Sequence, residues 1–297
     1  MAHAVLERLG GSTRVVRGPA NVGLFEAEDG KAVLIDSGND DDSGRRLLRF
    51  CEAEGLKLSL IVNTHSHADH CGGNAFLQSH TACRIAATGP EAAIIETPVL
   101  EPSYLWGGYP LLPLRNKFLM AKPSRVTDPL TPPCDVPGTA LKALPLGGHS
   151  YAMAGVMTPD RVFFAADSIA SIDVIKKYHV FFLYDIAAQL ETLDALEVLD
   201  ADWIVPSHAE PSRDMASLIE VNRAKIVEIA DFLVGSCAEP MTQEALLAGL
   251  ALHYGIALNH QQFVLLGATV RSYLAWLGQS RLVSSRLEAG KLLFERI

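Results

Sequence analysis

The sequence predicts an α/β protein followed by a small helical tail that closes on a β-hairpin. Three observations predict it. Apolar, strand-like runs alternate with amphipathic stretches through the first two thirds of the chain. One such run, LSLIVN, leads into THSHADHCGG, where His65, His67, Asp69 and His70 crowd the C-terminal end of a strand. After Pro211 the period becomes helical, and a last hairpin ends the pattern. The chain is therefore divided into residues 1–212 and a tail of residues 213–297.

A chain of 297 residues can hold one large α/β domain and a small appendage. Its 49% hydrophobic and 20% charged residues are ordinary for a globular protein. No apolar run approaches the roughly 18 residues that span a bilayer. The opening MAHAVLERLGG lacks the basic start and apolar core of a secretory signal, so a cytoplasmic location and no membrane partner are expected. Five scattered cysteines without a C-x-x-C pair argue for free thiols rather than a disulfide framework or a zinc knuckle. The net charge of −9 resides in residues 1–212, with 17 Lys+Arg against 26 Asp+Glu; the tail holds 8 of each. Neither part has the basic excess of a nucleic-acid binder.

The elements follow in order. AVLERL, TRVVRG and NVGLFEAEDGKAVLIDSG read as short strands, with EDGK as a hairpin turn in which Gly30 takes positive φ. DDSGRRLLRFCEAEG places Leu47, Leu48 and Cys51 on one stripe of a helix that stops at Gly55. LSLIVN is a buried strand, NAFLQSH a short helix and CRIAAT the next strand. From Pro90 to Pro133 many prolines predict an irregular insertion. ALKALPL precedes GGHS. VMTPDRVFFAADS reads as a hairpin ending at Asp167, DIAAQLETLDALEVL as a helix, and DWIVPSHAEP as a strand ending at His208. In the tail, SLIEVNRAKIVEIADFLVG and TQEALLAGLALHYG are helices. A third helix starts at Asn259, with Gln262 completing a capping box. Its stripe is Phe263, Leu266, Val270, Tyr273, Leu274 and Leu277, and the hairpin that follows turns at Ala289-Gly290, giving a winged-helix-like layout.

The pattern H-x-H-x-D-H supplies imidazole nitrogens and a carboxylate, the ligands that zinc and its neighbours favour. In extended chain His65 and His67 point the same way, and a turn at Ala68 presents Asp69 and His70 elsewhere. Four residues cannot close two metal shells. Further candidates stand at predicted strand ends: His149, Asp167 and His208.

In order and spacing, His65, His67, Asp69, His70, His149, Asp167 and His208 resemble the metal-ligand series of the metallo-β-lactamase superfamily. The resemblance spans residues 1 to about 212, and Asp36 in LIDSG matches the family's early strand-end aspartate. It implies an αββα sandwich of two mixed sheets. It also implies two divalent ions, zinc first, with manganese or iron as alternatives. One would sit on His65, His67 and His149, the other on Asp69, His70 and His208, with Asp167 and a hydroxide bridging. Such a centre keeps positive charge, favours an anionic small-molecule substrate and stabilises an oxyanion. Asp69 would also orient the hydroxide, which makes it the candidate catalytic residue.

Other residues carry weaker expectations. Asp36 should brace loop backbone beneath the site. Cys71 should be a packed thiol rather than a redox sensor. His80, His179, His253 and His260 lack partners in sequence. Tyr104, Trp106 and Tyr109 could cover the metals as a lid, or pack at a homodimer contact. Lys176, Lys177 and Tyr178 could hold an anionic tail or form a solvated turn. The implied activity is hydrolysis of a small ester, thioester or lactone. Two alternatives stay open. One is a single-strand endoribonuclease or phosphodiesterase. The other is a persulfide dioxygenase holding one iron on His65, His149 and Asp167.

Overall fold

A computed structural model describes residues 5–297; Ala4, the first residue of the expected AVLERL strand, and the start of MAHAVLERLGG lie outside them. Among the described residues, seven strands form the first sheet, in spatial order equal to chain order: β1 (Leu6–Arg8), β2 (Thr13–Val16), β3 (Val22–Ala27), β4 (Lys31–Ile35), β5 (Lys57–Val62), β6 (Arg84–Thr88) and β7 (Asp128–Leu130). It is antiparallel up to β4 and parallel from β4 to β7. The second sheet contains β8 (Cys134–Asp135), β9 (Lys142–Pro145), β10 (Ala154–Met157), β11 (Val162–Ala166) and β12 (Trp203–Pro206). Among these strands only β11 and β12 pair in parallel.

The two sheets face each other. Phe25, Val33 and Leu60 of the first bury against Val156, Val162 and Phe164 of the second. The helices among the described residues are α1 (Asp41–Ala53), α2 (Ala68–Cys71), α3 (Asn74–Thr81), α4 (Gly89–Glu96), α5 (Leu100–Trp106), α6 (Ile172–Tyr178), α7 (Ile186–Glu197), α8 (Ala216–Ser236), α9 (Gln243–His253) and α10 (His260–Gln279), and several of them cover the outer faces of the sheets. Leu47 and Cys51 of α1 and Leu77 of α3 bury against Leu34, Ile61 and Ile85 of the first sheet. Leu193 of α7 and Ile226 and Leu233 of α8 bury in one cluster with Phe163 and Ile204 of the second. The layers are helix, sheet, sheet, helix, as the alternation of elements and the resemblance led one to expect.

The stretch from Pro90 to Pro133 departs from the irregular insertion expected of it. It contains most of α4, all of α5, a 3-10 turn at Leu112–Leu114, and β7, which joins the first sheet. Pro90 and Pro102 each fall within the first turn of a helix, where an N–H has no partner inside the helix and none is missed. Residues that read as breakers are here helix starters. β12 ends at Pro206, so His208 stands in the loop beyond the strand rather than at its last position.

The tail follows the predicted order of elements. β13 (Met241–Thr242) precedes α9, and β14 (Val283–Glu288) and β15 (Lys291–Arg296) form the terminal hairpin. β15 pairs antiparallel with both β13 and β14. The capping box of Asn259 and Gln262 is present, and Ala289 and Gly290 turn the hairpin at positive φ. One expectation fails: Phe263 is 43% exposed. The first turns of α10 face the insertion, so Val264 is buried instead, against Leu105, Leu114 and Leu119. The tail shares one continuous apolar cluster with the second sheet, running from Leu146 to Val283.

Candidate metal centre

The candidate residues meet along one edge of the sandwich, beyond the C-terminal ends of β4, β5, β11 and β12, where α/β sheets place their sites. β5 delivers the 65–70 cluster. His67 starts the single turn of α2, which swings Asp69 and His70 away from His65 and His67. The glycines behind the turn permit it: a Cβ on Gly73 would lie 2.3 Å from the Ser37 carbonyl oxygen. Gly148 holds φ +119 beside α7 and brings His149 over the cluster.

Two groups form. His65, His67, His149 and Asp167 make one, and Asp69, His70 and His208 the other; within each, one nitrogen or oxygen per residue lies within 4.8 Å of the rest. His67 Nδ1 is 3.1 Å from His65 Nε2 and 3.0 Å from His149 Nε2. Asp167 spans both groups, 3.4 Å from His149 Nε2, 3.3 Å from His70 Nε2 and 3.4 Å from His208 Nε2. Asp69 lies 3.3 Å from His208 Nε2 and is the most exposed of the seven side chains.

The outward nitrogens are already engaged. His70 Nδ1 donates to Asp36 Oδ2 at 2.9 Å, His149 Nδ1 to the Phe182 carbonyl at 3.0 Å, and His208 Nδ1 to the Pro19 carbonyl at 2.8 Å. His65 Nδ1 meets the Thr64 hydroxyl at 3.0 Å, and that hydroxyl donates to Asp36 at 2.8 Å. His67 turns Nε2 toward Glu101 Oε1 at 3.4 Å. With donors pointing out, the lone pairs of His65, His67 and His149 converge on one another, an arrangement that a shared cation would relieve.

The charge states of the three-histidine group agree with this, whereas in the ion-free site Asp69 and Asp167 hold protons on His70 and His208 that a divalent ion would displace. Burial lowers His67 and His149 to about 4 and holds His65 well below the usual histidine value. All three are neutral, as metal ligands must be. Asp167, outweighing burial, raises His208 to about 11. Burial would lower His70 too, but Asp167, Asp69 and Asp36 together raise it well above the usual value. Asp69 and Asp167 stay well below the carboxylate range; burial alone would raise both, and the facing His70 and His208 overcome it. His70 Nε2 and Asp167 Oδ1 are buried and face each other at 3.3 Å, with no well-aligned hydrogen bond to either among the described residues. The donor set, the converging lone pairs and these orphaned atoms all fit divalent ions.

A cavity of about 370 Å³ lies over the ligands, lined by Glu101, Lys117, Phe118, Tyr178 and Phe182 among others. It shares Asp69, Tyr178, Phe182 and Gln261 with a cleft of about 1090 Å³ that runs to Tyr254–Ala257 of the tail. Lys177 and Tyr178 line that cleft, whereas Lys176 does not. Of the proposed aromatic lid, Tyr104 donates to Glu101, while Trp106 and Tyr109 face outward, 40% and 75% exposed. Glu101, Lys117, Phe118 and Leu119, not those aromatics, are the insertion's contribution to the cavity. Cys71 is packed, its thiol bonded to the Ser66 carbonyl and pushed far up by burial. Asp36 braces Thr64 and His70, as expected. Sequence reasoning missed Glu91, Glu101 and Phe182, which no local motif marks.

The family model "Metallo-beta-lactamase superfamily" matches residues 15–208. Among curated proteins, a hydroxyacylglutathione hydrolase of Xanthomonas campestris is 27% identical over 159 positions, covering 43% of this chain and 60% of that protein. One from Rhodopseudomonas palustris is 29% identical over 150 positions, covering 50% of this chain and 47% of that protein. The chain thus spans about 60% or less of the curated relatives it matches. A beta-lactamase domain protein from Burkholderia ambifaria superposes with a TM-score of 0.77 at 18% identity, over 100% of this chain and 95% of that one. A metallo-beta-lactamase family protein from Thermus thermophilus gives 0.73 at 20% identity, over 99% and 98%. At such identity these two speak for the fold, and they do so across the tail as well.

Proposed function

Because the chain belongs to the metallo-beta-lactamase superfamily, a family of metal-dependent hydrolases, we propose that it is a dinuclear hydrolase of a small thioester. Asp167 carries the reading: its carboxylate stands within 3.4 Å of His149, His70 and His208, where one residue can serve two ions. Two divalent ions, zinc for preference, would polarise a carbonyl and bring a water toward a pKa of ~7. His65, His67 and His149 would hold one ion, Asp69, His70 and His208 the other, and Asp167 both. Asp69, His70 and His208 supply donors for a second ion beside the first. Among the described residues no helix is long and apolar enough to cross a membrane.

Asp69, open to the cleft, would accept a hydrogen bond from the attacking water and orient its oxygen toward the acyl carbon. The acyl–sulfur bond would then break: one proton of the water ends on the departing thiol, the other passes to solvent, and the acyl group leaves as a carboxylate. A thioester is preferred to an ester or lactone because the relatives act on hydroxyacylglutathione, an acyl group on a thiol. Lys117 and Lys177 are cations placed for an anionic portion of the substrate, and Phe118, Tyr178 and Phe182 pack its apolar part. Two lysines are too few to follow an RNA backbone. Residues 213–297 are read as a winged-helix-like module that walls the far side of this cleft.

Elemental analysis of protein purified without added metal tests the centre, and thiol release from acyl-glutathione and acyl-coenzyme A tests the substrate. About two zinc or manganese per chain with thiol release supports the reading. About one iron per chain sinks the dinuclear centre. Two metals with turnover of lactones or esters alone sinks the thioester.

A further inference from the structure

Two glutamates between β6 and β7 are turned away from solvent. Glu91, in the first turn of α4, is fully buried, and Glu101 of α5 is 3% exposed. Glu91 Oε2 accepts from the Ser66 backbone N–H at 2.9 Å and the Ser66 hydroxyl at 2.6 Å. Its Oε1 accepts from the Ser150 hydroxyl at 2.7 Å and the Ala152 N–H at 2.9 Å. Ser66 stands between His65 and His67, and Ser150 follows His149. One carboxylate thus ties together the two loops that carry the three converging imidazoles. Among the described residues no lysine or arginine pairs with Glu91. Burying that group is costly, and the four donors are what offset it.

Glu101 acts on the same half of the site by a different contact. Its Oε1 takes the Tyr104 hydroxyl at 3.1 Å and faces His67 Nε2 at 3.4 Å, while its Oε2 is buried with no partner among the described residues. Of the three imidazoles, His67 alone turns Nδ1 inward, and an acceptor at Nε2 selects that tautomer.

We propose that Glu91 and Glu101 are positioning residues for the three-histidine half of the centre: Glu91 sets the spacing of its two loops, and Glu101 fixes the tautomer and ring orientation of His67. The proposal rests on the reading that His65, His67 and His149 hold a metal. A four-donor clamp requires two acceptor oxygens. Glutamine at position 91 would set its NH₂ against one of the two backbone N–H groups, losing a bond that serine rotation cannot restore. At position 101 a single acceptor suffices, so glutamine should serve where leucine does not.

The test measures zinc stoichiometry and stepwise affinity by chelator competition, with circular dichroism to verify folding. Wild type is compared with Glu91→Gln, Glu101→Leu and Glu101→Gln. The expected result is a 10–100-fold loss of affinity for one zinc in Glu91→Gln and Glu101→Leu. The second zinc should stay within about threefold, and Glu101→Gln should recover most of the loss. If Glu91→Gln does not fold, the Ser66→Ala/Ser150→Ala double variant weakens the same clamp and should show the same selective loss. Two zinc ions bound at wild-type affinity in the folded variants would overturn the positioning roles and leave the dinuclear centre standing. A wild-type protein that binds no zinc on His65, His67 and His149 would instead overturn the reading on which the proposal rests.

Discussion

Asp36 Oδ2 accepts the Nδ1–H of His70 at 2.9 Å, and the same carboxylate takes the backbone N–H of Thr64 at 2.8 Å. Asp36 stands at positive φ just past β4, so a strained backbone aims a buried acid at the neighbouring strand's ligand loop. Asp36→Ala strips that acceptor from several buried donors and should cost on the order of 3 kcal/mol of stability. It should also lower zinc affinity of the Asp69, His70 and His208 group by about 10–100-fold. Chemical denaturation and chelator competition measure the two effects, and unchanged affinity would refute the bracing role.

The depressed histidines predict how stability follows pH in chelator-treated protein. His67 and His149 fall to about 4 when folded, so the unfolded chain binds more protons between about 6.5 and 4. Their contribution is present above 6.5 and is lost as pH drops through 4. His208 is raised to about 11, so its contribution is complete below 6.5 and declines as pH rises toward 11. Stability should therefore peak near pH 6.5 and fall by several kcal/mol toward pH 4, about 3 for each of the two histidines. Urea unfolding across pH 4 to 9 checks this, and a flat profile would contradict it.

Gly73 packs where no side chain fits: its Cβ would meet the Ser37 oxygen at 2.3 Å and the Gly44 backbone at 3.1 Å. Both neighbours are main chain and cannot step aside. Gly73→Ala should destabilise by about 3 kcal/mol, with lowered metal content as the loop shifts. A thermal melt matching wild type would show that the loop has slack.

The tail is joined to the rest by more than packing. Thr269 of α10 accepts from the Leu183 N–H at 3.3 Å, one residue past the Phe182 carbonyl that holds His149. Ser272 donates to the Tyr184 carbonyl at 2.8 Å. Deleting residues 241–297 would also bare Leu183, Ile226 and Leu233. The expected product is insoluble or molten, judged by soluble yield and near-ultraviolet dichroism. A folded fragment that still binds two metals would establish the tail as separable.

Cys71 should resist alkylation by iodoacetamide in the native protein and react promptly once unfolded. Burial and the surrounding carboxylates suppress its thiolate. Rapid native labelling, mapped by mass spectrometry, would contradict the packing described for it.

How much was legible in the sequence follows from the range of the interactions involved. His65, His67, Asp69 and His70 could be read because one turn after one strand carries all four, and strand period sets where they point. His149, Asp167 and His208 could be placed because each follows an apolar run, and parallel strands bring their C-terminal ends to one edge. The tail helices announced themselves by period and by the Asn259 cap. The Pro-rich insertion was misread because a proline's meaning depends on whether it opens a helix or interrupts one, and only the paired β7 settles the surroundings.

By itself, then, the sequence determined an α/β alternation and seven candidate residues at its predicted strand ends, since these rest on local period and spacing, while the layered sandwich was implied by the family resemblance those residues carry. Tertiary structure alone decided which nitrogen each histidine turns inward. It also decided that Glu91 and Glu101 stand behind the three-histidine group, and that the tail walls the cleft. Those relations join positions tens to hundreds of residues apart, where a hydrogen bond leaves no local pattern. They exist only once burial has removed the water that would otherwise satisfy each group.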